Sequence, residues 1–260
     1  MISDVHRQLD AAIRVDWGPV GAGAIVPGCA VAAVVDVLSF STALSVAVDR
    51  GIEVFPYRWR DGSAAAFAAE RDAVLAVGRA RSRRSTAGGV SGDQEHPPVS
   101  LSPASIRGAA GVERVVLPSP NGSTISAQLA EAGCTVIGVG LRNRAAAVRW
   151  LGAQRGRRIA VVAAGERWPD GSLRPAVEDL WGAGALVSGL LAAGWTGVSP
   201  EASAAAAAFD AITDVAAALR ECASGRELAE IDFADDVRTA GELDDGRLVP
   251  VLEGESFRGR

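Results

Sequence analysis

Residues 31 to 55, VAAVVDVLSFSTALSVAVDRGIEVF, restrict the fold more than any other stretch of the chain. An apolar run from Val31 to Val35 ends in a single carboxylate, Asp36. Ser41 and Thr42 follow, a helical stretch runs to Arg50, Gly51 breaks it, and a second β-rich run covers Ile52 to Phe55. Strand, loop, helix, strand is the order of a parallel α/β unit, whose loop lies at the carboxyl edge of the sheet. Ligands of open α/β sheets bind at that edge. A charge closing an apolar strand needs a partner, so Asp36 reads as a site residue. The structural alternative is a cap for the next helix, because Asp accepts from free backbone N–H groups.

Residues 112 to 136 repeat this plan. A shift of 82 positions places Val34 on Val116, Ser41 on Ser123, Thr42 on Thr124, Gly51 on Gly133 and Val54 on Val136. The expected organisation is a single domain over residues 1–260, with two similar βαβ halves divided as 20–103 and 104–260. A third apolar run, Ile159 to Ala163, precedes Glu166, and Glu178 and Asp179 open the helix that follows. Three strands thus deliver polar side chains toward what the pattern makes one carboxyl edge. The expected fold is α/β: three layers, with a mixed or mostly parallel sheet and helices on both faces.

Elsewhere the pattern is plainer. Gly18 to Gly28, rich in glycine and proline, reads as a connection. Ala64 to Val77 reads as a helix, and Glu201 to Arg220 as one amphipathic helix. Leu248 to Gly254 reads as a closing strand, placed at an edge by Pro250, with Phe257 frayed or at the surface. Residues 78–103 form the longest stretch without periodicity and carry Arg79, Arg81, Arg83 and Arg84. Unpatterned loops of that length in compact domains are often binding loops, and this basic cluster suits an anion. A solvated surface loop is the plain alternative.

Composition removes several function classes. With 48% hydrophobic and 22% charged residues the chain is globular, not disordered. A formal net charge of -5 argues against nucleic acid as a partner. Cys29, Cys134 and Cys222 are too widely spaced for a disulfide framework and fit a cytoplasmic protein. The longest apolar stretches, Ala22 to Val35 and Ala183 to Gly194, are broken by glycine and fall short of a membrane span. Apolar surface around Trp150, Trp181 or Trp195 would suit a homodimer.

Asp36, Glu166, Glu178 and Asp179 are hard oxygen donors of the kind Mg²⁺ takes. Carboxylates brought together without a cation repel one another and shift in pKa, so their convergence would call for a divalent metal. Acidic residues in a first helical turn are also ordinary. SPNGST, Ser119 to Thr124, joins a Pro-Asn-Gly turn to a helix start. The N–H groups from Asn121 through Gly122 and Ser123 to Thr124 could hold a phosphate, or merely form a capped helix entry. Arg142 and Arg144 place positive charge at a helix start, against the macrodipole, which points to a ligand for them. Only His6 and His96 are available for a histidine-based zinc site or a serine–histidine triad. No Walker A lysine, G-x-G-x-x-G or G-x-S-x-G occurs.

Taken together, these motifs resemble the 2-phosphosulfolactate phosphatase family. DVLSFST is similar to that family's Asp-Val-Leu strand end at Asp36, Val37 and Leu38 and at the polar pair Ser41 and Thr42. Asn121, Gly122 and Ser123 correspond to its Asn-Gly-Thr, and Ala164 and Gly165, then Glu178 and Asp179, then Ala183 and Gly184, follow its later elements in order. Ser224 to Leu228 and Val249 to Val251 loosely resemble its carboxyl-terminal motifs, so the likeness runs from about residue 30 to 252. Where the family has an arginine after Asp-Val-Leu, this chain has Ser39, and the family's middle glycine-rich motifs are poorly kept in residues 78–103.

The resemblance implies a mixed α/β fold and Mg²⁺-dependent hydrolysis of (R)-2-phospho-3-sulfolactate to 3-sulfolactate and phosphate, a step toward coenzyme M. On that reading Mg²⁺ binds Asp36 with Glu166, Glu178 and Asp179, and Asp36 and Glu166 are catalytic. Ser41, Thr42, Arg79, Arg84, Asn121, Gly122, Ser123 and Thr124 then bind a small, multiply anionic phosphate. The rival is a non-catalytic small-anion binding or regulatory protein on the same scaffold.

Overall fold

A computed structural model describes residues 3–58, 63–79 and 99–260. β1 (Ile13–Trp17) runs directly into α1 (Gly18–Ile25). The central stretch supplies β2 (Val31–Val35), α2 (Phe40–Asp49) and β3 (Glu53–Tyr57). Next come α3 (Ser63–Glu70), the short β4 (Val74–Leu75) and α4 (Pro103–Gly108). The second strand–helix–strand unit is β5 (Arg114–Pro118), α5 (Gly122–Glu131) and β6 (Thr135–Gly138). α6 (Arg144–Gly152) and β7 (Ile159–Ala163) lead to a small hairpin of β8 (Glu166–Arg167) and β9 (Leu173–Arg174). A helical region follows, α7 (Val177–Ala192), α8 (Pro200–Asp210), α9 (Val215–Glu221), α10 (Ala223–Glu230) and α11 (Ala234–Ala240). The hairpin of β10 (Pro250–Glu253) and β11 (Ser256–Gly259) comes after it.

A 9-stranded sheet has the order β1-β7-β2-β6-β10-β11-β3-β5-β4. Strands β1, β7, β2 and β6 are parallel, as are β3, β5 and β4, and the β10–β11 hairpin joins the two groups through antiparallel pairings. The two strand–helix–strand units do not each make their own patch of sheet. Val31 of β2 stands opposite Thr135 of β6, and Glu53 of β3 opposite Arg114 of β5, so each unit lends one strand to each group.

Successive antiparallel pairings reverse strand sense along the ladder, yet the carboxyl ends of β2, β7 and β5 reach one cavity. Between the two parallel groups lies α2, which is buried from Phe40 to Val48 and packs on β2, β6, β10, β11 and β3 together. β2 is buried along its whole length. Its alternate residues therefore serve two cores, which is why its run is continuously apolar rather than alternating. Ala32 and Val34 face a core shared with Leu44, Val54, Val115, Ile125 and Phe257. Ala33 and Val35 face the opposite one, with Leu186, Leu190 and Phe209 from the helices on that side. The architecture is thus the α/β arrangement expected, a mixed sheet with helices on both faces.

Several local readings are revised. α1 occupies most of the supposed Gly18–Gly28 connection: Pro19 lies in its first turn, where a missing N–H costs nothing, and α1 packs on α5 and β7. The helix read over Ala64 to Val77 stops at Glu70, because Asp72 takes a left-handed φ of 48° and β4 then pairs with β5. The helix read over Glu201 to Arg220 is two, α8 and α9, bent by 101°. Asp214 starts the second by accepting the Ala217 N–H at 2.9 Å. β10 is interior, with Pro250 tolerated as its first residue. Phe257 is wholly buried, edge to face with Phe40 at 6.0 Å, and Trp195 is buried rather than available as dimer surface. Among the described residues no single helix is long and apolar enough to cross a membrane.

Candidate active site

Asp36 ends β2, and the hydroxyls of Ser41 and Thr42 shape the loop that carries it. Ser41 Oγ accepts the Asp36 N–H at 3.0 Å and donates to the Val34 carbonyl at 2.9 Å. Thr42 Oγ1 donates to the Val37 carbonyl at 2.8 Å. Both residues are wholly buried, and the pair expected to touch a ligand faces backbone instead. Asp36 itself caps α2, with Oδ1 accepting the Phe40 N–H at 3.0 Å, and it also lines a cavity.

That cavity, of about 230 Å³, is walled by Asp36 and Ser39 after β2, Ser119 and Asn121 after β5, Glu166 and Arg167 after β7, and Arg79. Asn121 ties two of these loops together. Its Nδ2 donates to the Gly165 carbonyl at 3.2 Å and to Glu166 Oε2 at 3.3 Å, while its Oδ1 accepts from Arg167 Nε at 3.2 Å. Gly122 starts α5 against the Phe40 ring, where a Cβ would have no room. Ser123 is buried and donates from Oγ to the Leu117 carbonyl at 3.3 Å. Gly122, Ser123 and Thr124 stand behind the wall rather than in it.

The acidic set divides by what each carboxylate touches. Asp36 and Glu166 line the cavity. Asp179, in the first turn of α7, gives both oxygens to backbone: Oδ1 accepts the Val37 N–H at 2.7 Å and Oδ2 the Gly165 N–H at 2.8 Å. It clamps the loops after β2 and β7 together. Glu178 beside it is 2% exposed.

Burial pushes the Asp36 carboxyl up to about 6, with the Phe40 N–H and Arg79 opposing and the charge of Glu178 adding to the rise. Burial first, and the charge of Asp36 second, push Glu166 up to about 7, with Arg174 opposing. Asp179 is held well above the usual carboxylate range by burial and then by the charges of Asp36 and Glu178. Like charges compressed into a dry site are what a bound cation relieves.

Among the described residues, however, no group of three or more His, Cys, Asp or Glu side chains is placed to hold a metal ion. The set of Asp36, Glu166, Glu178 and Asp179 does not assemble as a cage, because Asp179 is committed to backbone N–H groups. What remains is the cavity pair, Asp36 and Glu166. Mg²⁺ commonly takes one or two carboxylates and keeps several waters, so the pair fits a hydrated divalent cation and not a closed site.

Arg79 is the guanidinium with an ionic anchor in this wall. Its Nε pairs with Asp236 Oδ2 at 3.0 Å, and its Nη2 donates to Ser39 Oγ at 2.5 Å. Arg84, like Arg81, Arg83 and His96, lies outside the described residues. Arg142 and Arg144 do not line the cavity. Arg142 pairs with Asp49 at 2.6 Å and Asp245 at 2.7 Å, and Arg144 pairs with Asp244, which also accepts the Ala145 N–H at 2.8 Å. Carboxylates at the end of α2 and in the loop before β10 thus answer the positive charge at the start of α6. Sequence reasoning missed Arg167 and Asp236, and gave Ser119, the first residue of SPNGST, no role of its own. Arg167 adjoins Glu166, whereas Asp236 looks like any acidic residue in a first helical turn.

A profile of the family described as 2-phosphosulpholactate phosphatase matches residues 23–255 of the chain. The chain is also similar to a probable 2-phosphosulfolactate phosphatase of Deinococcus radiodurans, being 30% identical over 226 residues that cover 85% of this chain and 87% of that protein.

Proposed function

The chain belongs to the 2-phosphosulfolactate phosphatase family, and we propose that it is a Mg²⁺-dependent phosphoric monoester hydrolase acting in the cavity at Asp36. Its substrate is 2-phosphosulfolactate or a similarly small, multiply anionic phosphate ester, released as the alcohol and phosphate. One observation carries this reading: two carboxylates of raised proton affinity and an anchored guanidinium share a single cavity.

Asp36 and Glu166 would hold the cation, which when bound supplies charge neutralisation at the phosphoryl group and activation of water. Arg79 presents its planar guanidinium to phosphoryl oxygens, a geometry that lysine cannot copy. Ser39 stands where the resembling sequences have arginine, and Arg79 donates to its hydroxyl, so a guanidinium reaches that place by another route. Glu166 has the higher proton affinity of the pair and takes the proton of the attacking water, while Asn121 orients its Oε2. Ser41, Thr42 and Asp179 keep Asp36 and Glu166 on rigid loops, which limits the reorganisation left for the reaction.

The test is phosphate release from a panel of small phosphate esters, with Mg²⁺ and with EDTA. The expected result is Mg²⁺-dependent turnover, with the highest kcat/KM for esters that also carry a sulfonate or carboxylate. Binding of such esters without turnover under any condition would make the protein a non-catalytic anion binder.

A further inference from the structure

The guanidinium of Arg79 is held by three partners from two parts of the chain. Asp236, in α11, takes its Nε at 3.0 Å across 157 positions of sequence. Ser39, in the loop after β2, takes its Nη2 at 2.5 Å. The Phe233 ring, just before α11, lies 5.5 Å from its Cζ. Asp236 is 1% exposed, so it has left water almost completely, and a carboxylate so placed needs a cationic partner and hydrogen-bond donors to replace its lost hydration. It has both. Oδ2 faces Arg79, and Oδ1 accepts from Ser102 Oγ and from the Ala104 N–H at 3.3 Å.

These anchors occupy Nε and one side of Nη2. Among the described residues Nη1 has no hydrogen-bond partner, and Arg79 lines the cavity that holds Asp36 and Glu166. It also lines an adjoining cavity of about 540 Å³, with Arg174, Ser224 and Glu227, that shares Glu166 and Arg167 with the first. An arginine free in solvent loses much rotamer freedom when it grips an anion. One already fixed at Nε loses less, so more of the contact energy appears as affinity.

We propose that Asp236 is the positioning residue of the anion clamp: it fixes Arg79 by Nε so that the opposite edge of the guanidinium is presented to the phosphoryl group of the ligand. This rests on the phosphatase reading of the cavity. Asp236 acts through Arg79 and does not itself meet the ligand. Its bonds to Ser102 and Ala104 also dock α4 on α11, so a purely structural role is the rival that the experiment must separate.

Inorganic phosphate is the probe, measured by calorimetry and as a competitive inhibitor of the best ester in the panel. Four variants are compared with the wild type: Asp236→Asn, Arg79→Gln, their double, and Ser102→Ala. Asp236→Asn keeps the side-chain shape and the Oδ1 acceptor while removing the charge at Arg79. It is expected to raise the phosphate Ki and the ester KM by about tenfold, with kcat changed by less than about threefold. In an Arg79→Gln background the same substitution should add nothing, because its effect runs through Arg79. Ser102→Ala should lower the melting temperature and leave the phosphate Ki unchanged.

An unchanged phosphate Ki in Asp236→Asn, or fully additive losses in the double variant, overturns the proposal. If Asp236→Asn is not recovered folded, Asp236→Glu keeps the charge but moves it by one methylene; a raised Ki supports the proposal and an unchanged one overturns it. A wild-type protein that neither binds phosphate nor hydrolyses any ester overturns the phosphatase reading, and the clamp with it. Wild-type turnover combined with a wild-type Ki in the Asp236 variants overturns only the clamp.

Discussion

Phe40, at the start of α2, lies against Gly122, at the start of α5, so closely that a Cβ at position 122 would lie 2.9 Å from the Phe40 Cβ and nearer still to its ring. The contact sets the spacing between the loop after β2 and the loop after β5, and with it the spacing between Asp36 and Asn121. Gly122→Ala would force the ring or a helix start to move. Such overpacking costs about 1–3 kcal/mol, so the urea midpoint should fall, and turnover should fall further because both loops wall the cavity. A variant with the wild-type midpoint would show that the contact has slack.

Asp36→Asn should separate function from stability. The folded protein holds the Asp36 proton up to about pH 6, whereas the unfolded chain gives it up near the ordinary aspartate value of 3.8. The folded state therefore binds more protons in that window, and the ionised carboxylate removes stability as pH rises through it; the penalty is complete above about pH 6. Asparagine keeps an acceptor for the Phe40 N–H without the charge. The variant is expected to be more stable than the wild type at about pH 8, by about 1–3 kcal/mol, to lose that advantage near pH 4, and to lose Mg²⁺-dependent turnover. Denaturant melts at the two pH values check the first part, and an unchanged kcat would remove Asp36 from the mechanism.

Metal binding should be coupled to proton release. With Asp36 near 6 and Glu166 near 7, the cavity pair carries protons at weakly acid pH that a cation must displace. Mg²⁺ affinity should therefore rise between about pH 6 and 7 and level off above. Calorimetry in two buffers of different ionisation heat should register the displaced protons near pH 6.5. A pH-independent affinity with no proton release would take these two carboxylates out of the metal site.

Asp179→Ala should damage two loops at once. It leaves the Val37 and Gly165 N–H groups without their acceptor, and each unsatisfied buried donor costs about 1–3 kcal/mol. A loss of about 2–5 kcal/mol is expected, together with faster hydrogen exchange at those two amides specifically. Exchange at wild-type rates would mean that other groups fix the loops.

The elements were more legible in the sequence than their neighbours. Val31 to Val35 and Ile159 to Ala163 are apolar throughout and became strands buried on both faces. Nothing in such a run says which other strand it pairs with, so the exchange that sets β2 against β6 and β3 against β5 could not be read. α1 was hidden by its glycines. One of them, Gly21, lies against the Asp16 side chain, where a Cβ would fall 2.7 Å from its Cγ; close packing, not propensity, decides that helix.

The site divides the same way. Asp36, Glu166 and Asn121 stood out as polar residues just past apolar strands, and all three line the cavity. Ser41 and Thr42 stood out as a pair, but a hydroxyl at a helix start can turn back to the preceding loop as readily as toward a ligand, and here both turn back. Asp236 gave no signal, since what distinguishes it is a contact with Arg79 from the other side of the fold.

The hairpin of residues 250–259 also covers two sheet edges. Until it docks between β6 and β3, each parallel group presents an open edge of unpaired amide and carbonyl groups. That docking joins segments far apart in the chain, and contacts of this kind form slowly. A chain in which the hairpin is undocked therefore exposes two sheet edges open to self-association, and docking of this one hairpin closes both at once.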